Sequence, residues 1–173
     1  TLEQATEAVP YGDLVKPFEA RELKTTIEVA LFKHRMELEL KESQERFREI
    51  FKQNFDAIAL FKFSNFEVMD VNPEALSMFQ FSKEELLDDF KVVFESEETY
   101  VAFKKEIHAF PFPGNEYFLD RCRLRKKDGT EIICSIKANI INLQEIDVLY
   151  CSFRDITEKI RIENRLIQAQ KME

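Results

Sequence analysis

The chain has 173 residues, a formal net charge of −8 at pH 7 and a pI near 5.0. An acidic chain repels phosphate backbones, which argues against a nucleic-acid partner. The sequence opens on Thr1 without a leader pattern and lacks a run of about 18 apolar residues, so we expect a cytoplasmic location and no membrane partner. All but two of the 17 Phe lie between Phe47 and Phe153, where we expect the packed core.

The opening stretch predicts a short strand followed by a long helix. Leu14 and Val15 favour a strand, which ends at Lys16-Pro17 because proline removes a backbone donor. From Glu19 no Gly or Pro occurs until beyond residue 53, which predicts one continuous helix.

Apolar residues in this helix recur with steps of three and four, as in a coiled coil. The repeat changes phase near residues 39–43. A helix of this length needs a partner to bury its apolar stripe, so we expect a homodimer. His34 is interpreted as a tolerated polar residue in the stripe, with a pH-sensitive register device as the alternative. The stripe comprises Ile27, Leu31, His34 and Leu38.

The middle of the chain begins with two strands and continues with short helices. Residues 57–61 are apolar at every position, which indicates a strand covered on both faces. Residues 66–71 pair back as a second strand. Asn72 is expected to cap a helix that starts at Pro73. Further helices are predicted after Ser82, which forms a capping box with Glu85, and over residues 95–109.

Three strands are predicted to close the globule. Residues 117–126 alternate, which places Phe118, Cys122 and Leu124 on the core face. Asp128-Gly129 indicates a hairpin turn, and two further strands follow it. The five strands with helices grouped after the second predict an α+β fold: an antiparallel sheet with helices on one face, preceded and followed by long coiled-coil-type helices. The remaining core-facing residues are Ile132, Cys134, Ile136, Ala138, Ile140, Leu149, Cys151 and Phe153.

The pattern becomes helical again after Asp155. Thr157 is expected to cap the helix that leaves the sheet, while Asp155 pairs with a basic neighbour. Ile162, Leu166 and Ala169 repeat at helical spacing.

Three motifs in this central region resemble those of the PAS sensory domain: DVNPEA at residues 70–75, KKDGT at 126–130 and RDITEK at 154–159. The resemblance implies a PAS domain over residues 45–155 and a signalling helix over 156–173. It also implies a sensing core that binds a small molecule or a partner and passes the change to the exit helix. The implied relay residues are Arg154, Asp155, Ile156 and Thr157. The candidate pocket residues are Phe61, Met78, Phe79, Phe103, Cys122, Cys134 and Phe153.

The two ends resemble other parts of two-component signalling proteins. Lys16-Pro17 is similar to the end of the last strand of a response-regulator receiver domain, so residues 1–18 are interpreted as a receiver remnant and 19–44 as its last helix continuing into a connector. The closing RLIQAQKME resembles the segment that leads into sensor histidine kinases. The resemblance implies a receiver upstream and a kinase downstream, while this chain itself, without a phosphoacceptor or an ATP site, is not expected to be an enzyme.

Two other functions are compatible with the residues. An enzyme using Cys, His and Asp would need a reactive thiol, whereas core strand positions favour Cys122, Cys134 and Cys151 as small buried hydrophobes. A protein-interaction scaffold without a ligand is the second alternative. The cysteine spacing indicates neither a disulfide framework nor a zinc site.

The cofactor is left unknown. Haem is disfavoured because His108 lies too near the KKDG turn to match the family's haem-binding position, and flavin because the cysteines fall on strands. The basic residues Arg121, Arg123, Arg125, Lys127 and Lys137 are interpreted as a solvated surface, with an anion-binding stripe as the alternative.

Overall fold

A computed structural model describes residues 19–112, 115–143 and 145–171 of the chain. The strand predicted at Leu14-Val15 and the Lys16-Pro17 pair lie outside the described residues. The chain divides into two compact units, with the boundary after Ile50. The elements are α1 (Ala20–Gln53), β1 (Ala57–Lys62), β2 (Glu67–Val71), α2 (Pro73–Phe79), α3 (Lys83–Asp88), a 3₁₀ helix (Phe90–Val93), α4 (Glu97–Ala109), β3 (Tyr117–Arg125), β4 (Glu131–Leu143), β5 (Ile146–Asp155) and α5 (Thr157–Lys171).

The described part of the first unit is helical from Ala20 onward, as the absence of Gly and Pro predicted. The apolar side chains of its stripe are exposed: Ile27 and Leu38 are about half exposed, and Leu31 is 60% exposed.

The second unit is built on a five-stranded antiparallel sheet in the order β2-β1-β5-β4-β3. The last strand in sequence, β5, is therefore central in the sheet, with β1 on one side and β4 on the other. The α+β fold predicted from the sequence is confirmed.

The helical elements between β2 and β3 cover one face of this sheet. Ala59, Cys151 and Ala138 lie side by side on adjacent strands, and these small side chains leave room over the middle of the sheet. Phe79 of α2 and Phe90 of the 3₁₀ helix are buried in the same core cluster as these three residues. On the opposite face, Phe51, Ile58, Leu60 and Val148 form a smaller apolar cluster, which confirms that β1 is covered on both sides.

The helix caps follow the local sequence. Asn72 caps α2 ahead of Pro73, and Ser82 forms its capping box with Glu85 at the start of α3. The helix predicted from residue 95 begins instead at Glu97, because Ser96 and Thr99 form a second capping box that sets its start.

One face assignment was wrong. Phe118 is 55% exposed, whereas Tyr117 is buried and Leu119 packs against the core. The reason is a β-bulge: between Leu119 and Cys122 the strand β3 contains one residue more than its partner β4. The extra residue reverses the alternation, so residues before and after the bulge face the core at opposite parity.

Candidate functional site

The junction between β5 and α5 is held by one residue of the neighbouring strand. The N–H of Ile156 donates to the carbonyl of Ile133 at 2.8 Å. The N–H of Ile133 in turn donates to the Thr157 hydroxyl oxygen at 2.9 Å. Both backbone groups of this β4 residue are therefore used to hold the start of the exit helix. We call Ile133, Ile156 and Thr157 the junction clamp.

The cap of α5 differs from the one expected. The Asp155 carboxylate accepts from the N–H of Thr157 at 2.8 Å, while the Thr157 hydroxyl is used by Ile133. Asp155 thus serves as the capping side chain in place of Thr157. A carboxylate at a helix N-terminus is also favoured by the helix dipole.

Arg154 connects the end of β5 to the residue before β1. Its Nε and Nη2 donate to the two carboxylate oxygens of Asp56 at 2.8 and 2.9 Å. This paired contact raises the pKa of Arg154 above its ordinary value, because the hydrogen bonds and the charge of Asp56 favour the guanidinium.

Asp56 is linked further to α2 through Asn72, which is fully buried. The Asn72 side chain donates to the Asp56 carbonyl at 3.0 Å and accepts from the N–H groups of Ile58 and Ala75 at 2.8 and 3.0 Å. The asparagine of the DVNPEA motif is therefore more than a cap, because it also holds the start of β1. Helix-cap reasoning alone missed this role, which depends on a contact with residues far away in the sequence.

The structure brings the seven candidate pocket residues into one apolar cluster between the sheet and the helices. Phe61, Phe79, Phe153 and Cys134 are almost completely inaccessible, and Phe103 is nearly so. Met78 and Cys122 are partly buried against the same cluster.

Phenylalanine rings fill the centre of this cluster. Phe90, which was not among the candidates, contacts Phe61 edge-on at 5.0 Å between ring centroids and Phe79 at 6.0 Å. Phe153 lies 5.7 Å from both Phe79 and Phe90. Mutual ring contacts at these distances are favourable, so a molecule that separated these rings would lose those contacts.

The three cysteines lie on strands β3, β4 and β5. Burial raises the pKa of the Cys122 thiol to about 11 and that of Cys134 to about 12. Burial also raises the pKa of the completely buried Cys151 thiol. Thiols with raised pKa values hold little thiolate at neutral pH and are weak nucleophiles.

His108 lies in the last turn of α4, where its ring packs against Phe63 and Phe66 at 5.2 and 5.0 Å.

The basic residues considered as an anion-binding stripe have acidic neighbours. Arg121 lies 3.8 Å from Glu163, and Lys137 lies 3.9 Å from Glu116. These acidic neighbours favour the solvated-surface interpretation.

Lys127 of the KKDGT motif joins the β3–β4 hairpin to the helices. Its N–H donates to the Phe79 carbonyl at 3.0 Å, and its Nζ contacts both carboxylate oxygens of Glu85 at 2.6 and 2.8 Å. The hydrogen bond from Lys127 lowers the pKa of Glu85. The motif therefore holds the helical layer to the sheet. The prediction of a hairpin turn at this motif did not include that role.

Within residues 19–112, 115–143 and 145–171, no group of three or more His, Cys, Asp or Glu side chains is arranged to hold a metal ion. None of the helices described in these ranges has both the length and the apolar character needed to cross a membrane.

These features define a sensory-domain fold with its closing strand joined to an exit helix, and the sequence comparison agrees. The sequence model of the PAS domain matches residues 56–158, and the chain belongs to this family. No curated protein matches the chain.

Solved PAS structures share the fold at low sequence identity. The PAS domain of an HTR-like protein from Haloarcula marismortui is 18% identical with a TM-score of 0.60, covering 71% of this chain and 99% of that one. A PAS domain from a two-component sensor histidine kinase is 19% identical with a TM-score of 0.53, covering 69% and 98%. A domain of a sensory box sensor histidine kinase/response regulator from Geobacter sulfurreducens is 18% identical with a TM-score of 0.53, covering 65% and 95%.

Proposed function

We propose that this chain is a non-catalytic sensory and dimerisation module of a two-component signalling protein. The observation that carries the proposal is the junction clamp: the central strand of the sheet continues into α5 within one residue, and Ile133 holds both sides of the turn. A change in the core that moves β4 or β5 would therefore be passed directly to the exit helix. The relay residues are Arg154, Asp155, Ile156 and Thr157.

The flanking helices provide the dimer contacts in this proposal. The exposed stripe of α1 at Ile27, Leu31 and Leu38 supports a homodimer, because an unpaired helix of 34 residues would leave these side chains in water. Leu166 of α5 is also 61% exposed, with Ile162 and Ile167 beside it on the helix. We propose a parallel arrangement, in which both copies of the sensing core act on the same end of the dimer.

The neighbouring segments of the parent protein are proposed from the resemblance of the chain ends. Lys16 and Pro17 support a receiver domain upstream, and residues 165–173 support a histidine kinase downstream. On this proposal the module works in the cytoplasm.

Light scattering of the full chain tests the dimer. We expect a dimer for the natural sequence and a monomer for Leu31→Asp, which places a carboxylate in the apolar stripe. Lys33→Asp adds the same group about 200° around the helix and serves as the matched control, which should remain dimeric. A monomer at high concentration of the unmodified chain would contradict the proposal.

The input is proposed to be a small apolar molecule held among Phe61, Met78, Phe79, Phe103, Cys122, Cys134 and Phe153. A ligand-free interaction scaffold is the second candidate, and the mutual packing of Phe79, Phe90 and Phe153 favours it because these rings occupy the centre of the core. Native mass spectrometry of the purified chain distinguishes the two. A retained small molecule supports the first candidate, and a mass equal to that of the polypeptide supports the second.

The enzyme alternative makes a separate prediction about thiol reactivity. The raised pKa values of Cys122 and Cys134 and the packing of His108 against phenylalanine rings support a non-catalytic chain. Labelling of the folded chain with iodoacetamide near pH 7 should therefore be slow at all three cysteines. One rapidly labelled thiol would favour the enzyme.

A further inference from the structure

Two of the three cysteines lie directly opposite each other on neighbouring strands. Cys122 of β3 pairs in register with Cys134 of β4, whereas Cys151 lies opposite Ala59 on one side and Ala138 on the other. Cys134 is fully buried and Cys122 is partly exposed, so this pair has one member that solvent reaches.

The β-bulge places both side chains on the same face of the sheet. In a regular strand alternate residues share a face, so with Tyr117 buried residue 122 would point away from the core. The extra residue between Leu119 and Cys122 reverses that alternation and turns Cys122 toward the core, beside Cys134. Bulges commonly re-aim a side chain in this way.

The hydrogen bonds around Ile133 define the geometry of the cysteine pair. Both backbone groups of Ile133 point away from β3, toward Ile156 and Thr157. The adjacent Cys134 therefore directs its backbone groups toward β3, which makes Cys122 and Cys134 a hydrogen-bonded pair. The Cα atoms of such a pair are about 5.5 Å apart, which lies inside the range of about 4.4 to 6.8 Å found across disulfides.

We propose that Cys122 and Cys134 are a redox-active dithiol that closes reversibly to an intramolecular disulfide. The oxidant is a hydroperoxide. The small thiolate fraction of Cys122 that its raised pKa leaves near neutral pH attacks the peroxide slowly, cleaving its O–O bond, and becomes a sulfenic acid as water or an alcohol leaves. The Cys134 sulfur then attacks the Cys122 sulfur, the S–O bond breaks, and one water leaves, formed from the departing oxygen and the Cys134 proton, as the S–S bond forms. The two thiols lose two hydrogens and two electrons in total.

The same geometry makes the bond reducible. In hydrogen-bonded pairs the Cβ atoms lie farther apart than in non-hydrogen-bonded pairs, so closure draws the strands together and strains the disulfide. Strained disulfides have more oxidising potentials and are returned to dithiols more easily. Cys134 is adjacent to Ile133 and lies opposite Asp155 on β5, so closure acts next to the junction clamp. This last consequence rests on the proposed function, whereas formation of the disulfide does not.

The test is oxidation of the full chain with hydrogen peroxide, followed by denaturation, alkylation of the remaining thiols and mass spectrometry. We expect a loss of two hydrogens per chain, protection of two of the three thiols, and a linked pair of peptides containing Cys122 and Cys134. Cys151→Ala is the matched control and should show the same loss of two hydrogens and the same linked peptides, with both of its remaining thiols protected. Dithiothreitol should reverse it.

Cys122→Ala and Cys134→Ala should each abolish the loss of two hydrogens. Circular dichroism reports whether each variant is folded. Because Cys122 is only partly buried, Cys122→Ala is expected to fold and provides the test even where Cys134→Ala does not fold. A disulfide that links two chains, a linkage through Cys151, or oxidation only to sulfinic acid would overturn the proposal. A failure of this experiment leaves the dimerisation and relay experiments unaffected, so the two proposals are tested separately.

Discussion

Arg154 and Asp56 are 98 residues apart in the sequence, and they form an ion pair with two hydrogen bonds, from Nε and Nη2 of Arg154 to the two carboxylate oxygens of Asp56 at 2.8 and 2.9 Å. Arg154 is the residue before the capping Asp155, and Asp56 is the residue before β1. The pair therefore joins the two points at which the chain enters and leaves the sheet. The Arg154 side chain is 69% exposed and that of Asp56 is 22% exposed.

This ion pair should show a small but measurable coupling. A double-mutant cycle with Arg154→Ala and Asp56→Asn is expected to give about 0.5 to 1 kcal/mol in the free energy of unfolding, since the arginine is largely solvated. Raising the salt to about 1 M should reduce the coupling. The exposed Arg161 and Glu158 pair at 3.7 Å provides the control and should couple more weakly. Equal coupling in the two pairs would show that the paired geometry has no particular effect.

Asn72→Ala should destabilise the domain strongly. The change removes a helix cap and leaves the Ile58 N–H and the Asp56 carbonyl without their side-chain partner. We expect a loss of about 2 to 4 kcal/mol in the free energy of unfolding, measured by urea denaturation. Asn164→Ala on the exposed surface of α5 should change it by less than about 0.5 kcal/mol. A similar small effect at both positions would mean that the Asn72 network contributes little.

Thr157→Val tests the junction clamp, because it keeps the shape of the side chain and removes the hydroxyl. The Ile133 N–H then lacks its acceptor, so its amide hydrogen should exchange about tenfold faster, corresponding to the loss of one hydrogen bond. Nuclear magnetic resonance reports this exchange residue by residue. Thr157→Ser retains the hydroxyl and should keep the exchange rate within about twofold of the natural chain. Unchanged exchange protection of the Ile133 amide in Thr157→Val would show that the Thr157 hydroxyl does not contribute to the junction clamp.

Tyr117→Phe should alter the response of stability to alkaline pH. Burial, together with the hydrogen bond that the hydroxyl donates to Glu106 at 2.7 Å, raises the pKa of Tyr117 above its ordinary value of 10.0. The folded chain therefore keeps a proton that the unfolded chain releases above about pH 10. The stability that this group contributes is fully present below that pH and is lost as the pH rises toward the folded pKa.

The measurement is urea denaturation of both proteins across this range. Near neutral pH, Tyr117→Phe should be less stable by about 1 to 2 kcal/mol, because a hydrogen bond to a carboxylate is lost. Above about pH 10 the difference should narrow. A difference that stays constant across the titration would mean that the tyrosine does not titrate differently in the two states.

Local patterns in the sequence were sufficient for most of the fold. The caps at Asn72 and Ser82 and the alternation along β4 were correctly predicted, because capping and strand periodicity depend on residues within a few positions of each other. The face of Phe118 was wrong because one inserted residue reverses the alternation, and nothing in the residue types marks the insertion. Phe90 was missed as a core residue because it lies in a 3₁₀ helix too short to show a period.

By itself, the sequence determined which segments are strands and helices and that they build a PAS domain, since these properties follow from local periodicity, caps and short motifs. Only the tertiary structure decided which distant residues meet: Arg154 with Asp56, Thr157 with Ile133, and Cys122 with Cys134. The physical reason is strand register. A shift of one residue changes every cross-strand partner and every face, and here the partners depend on a bulge in β3 and on the strand order β2-β1-β5-β4-β3.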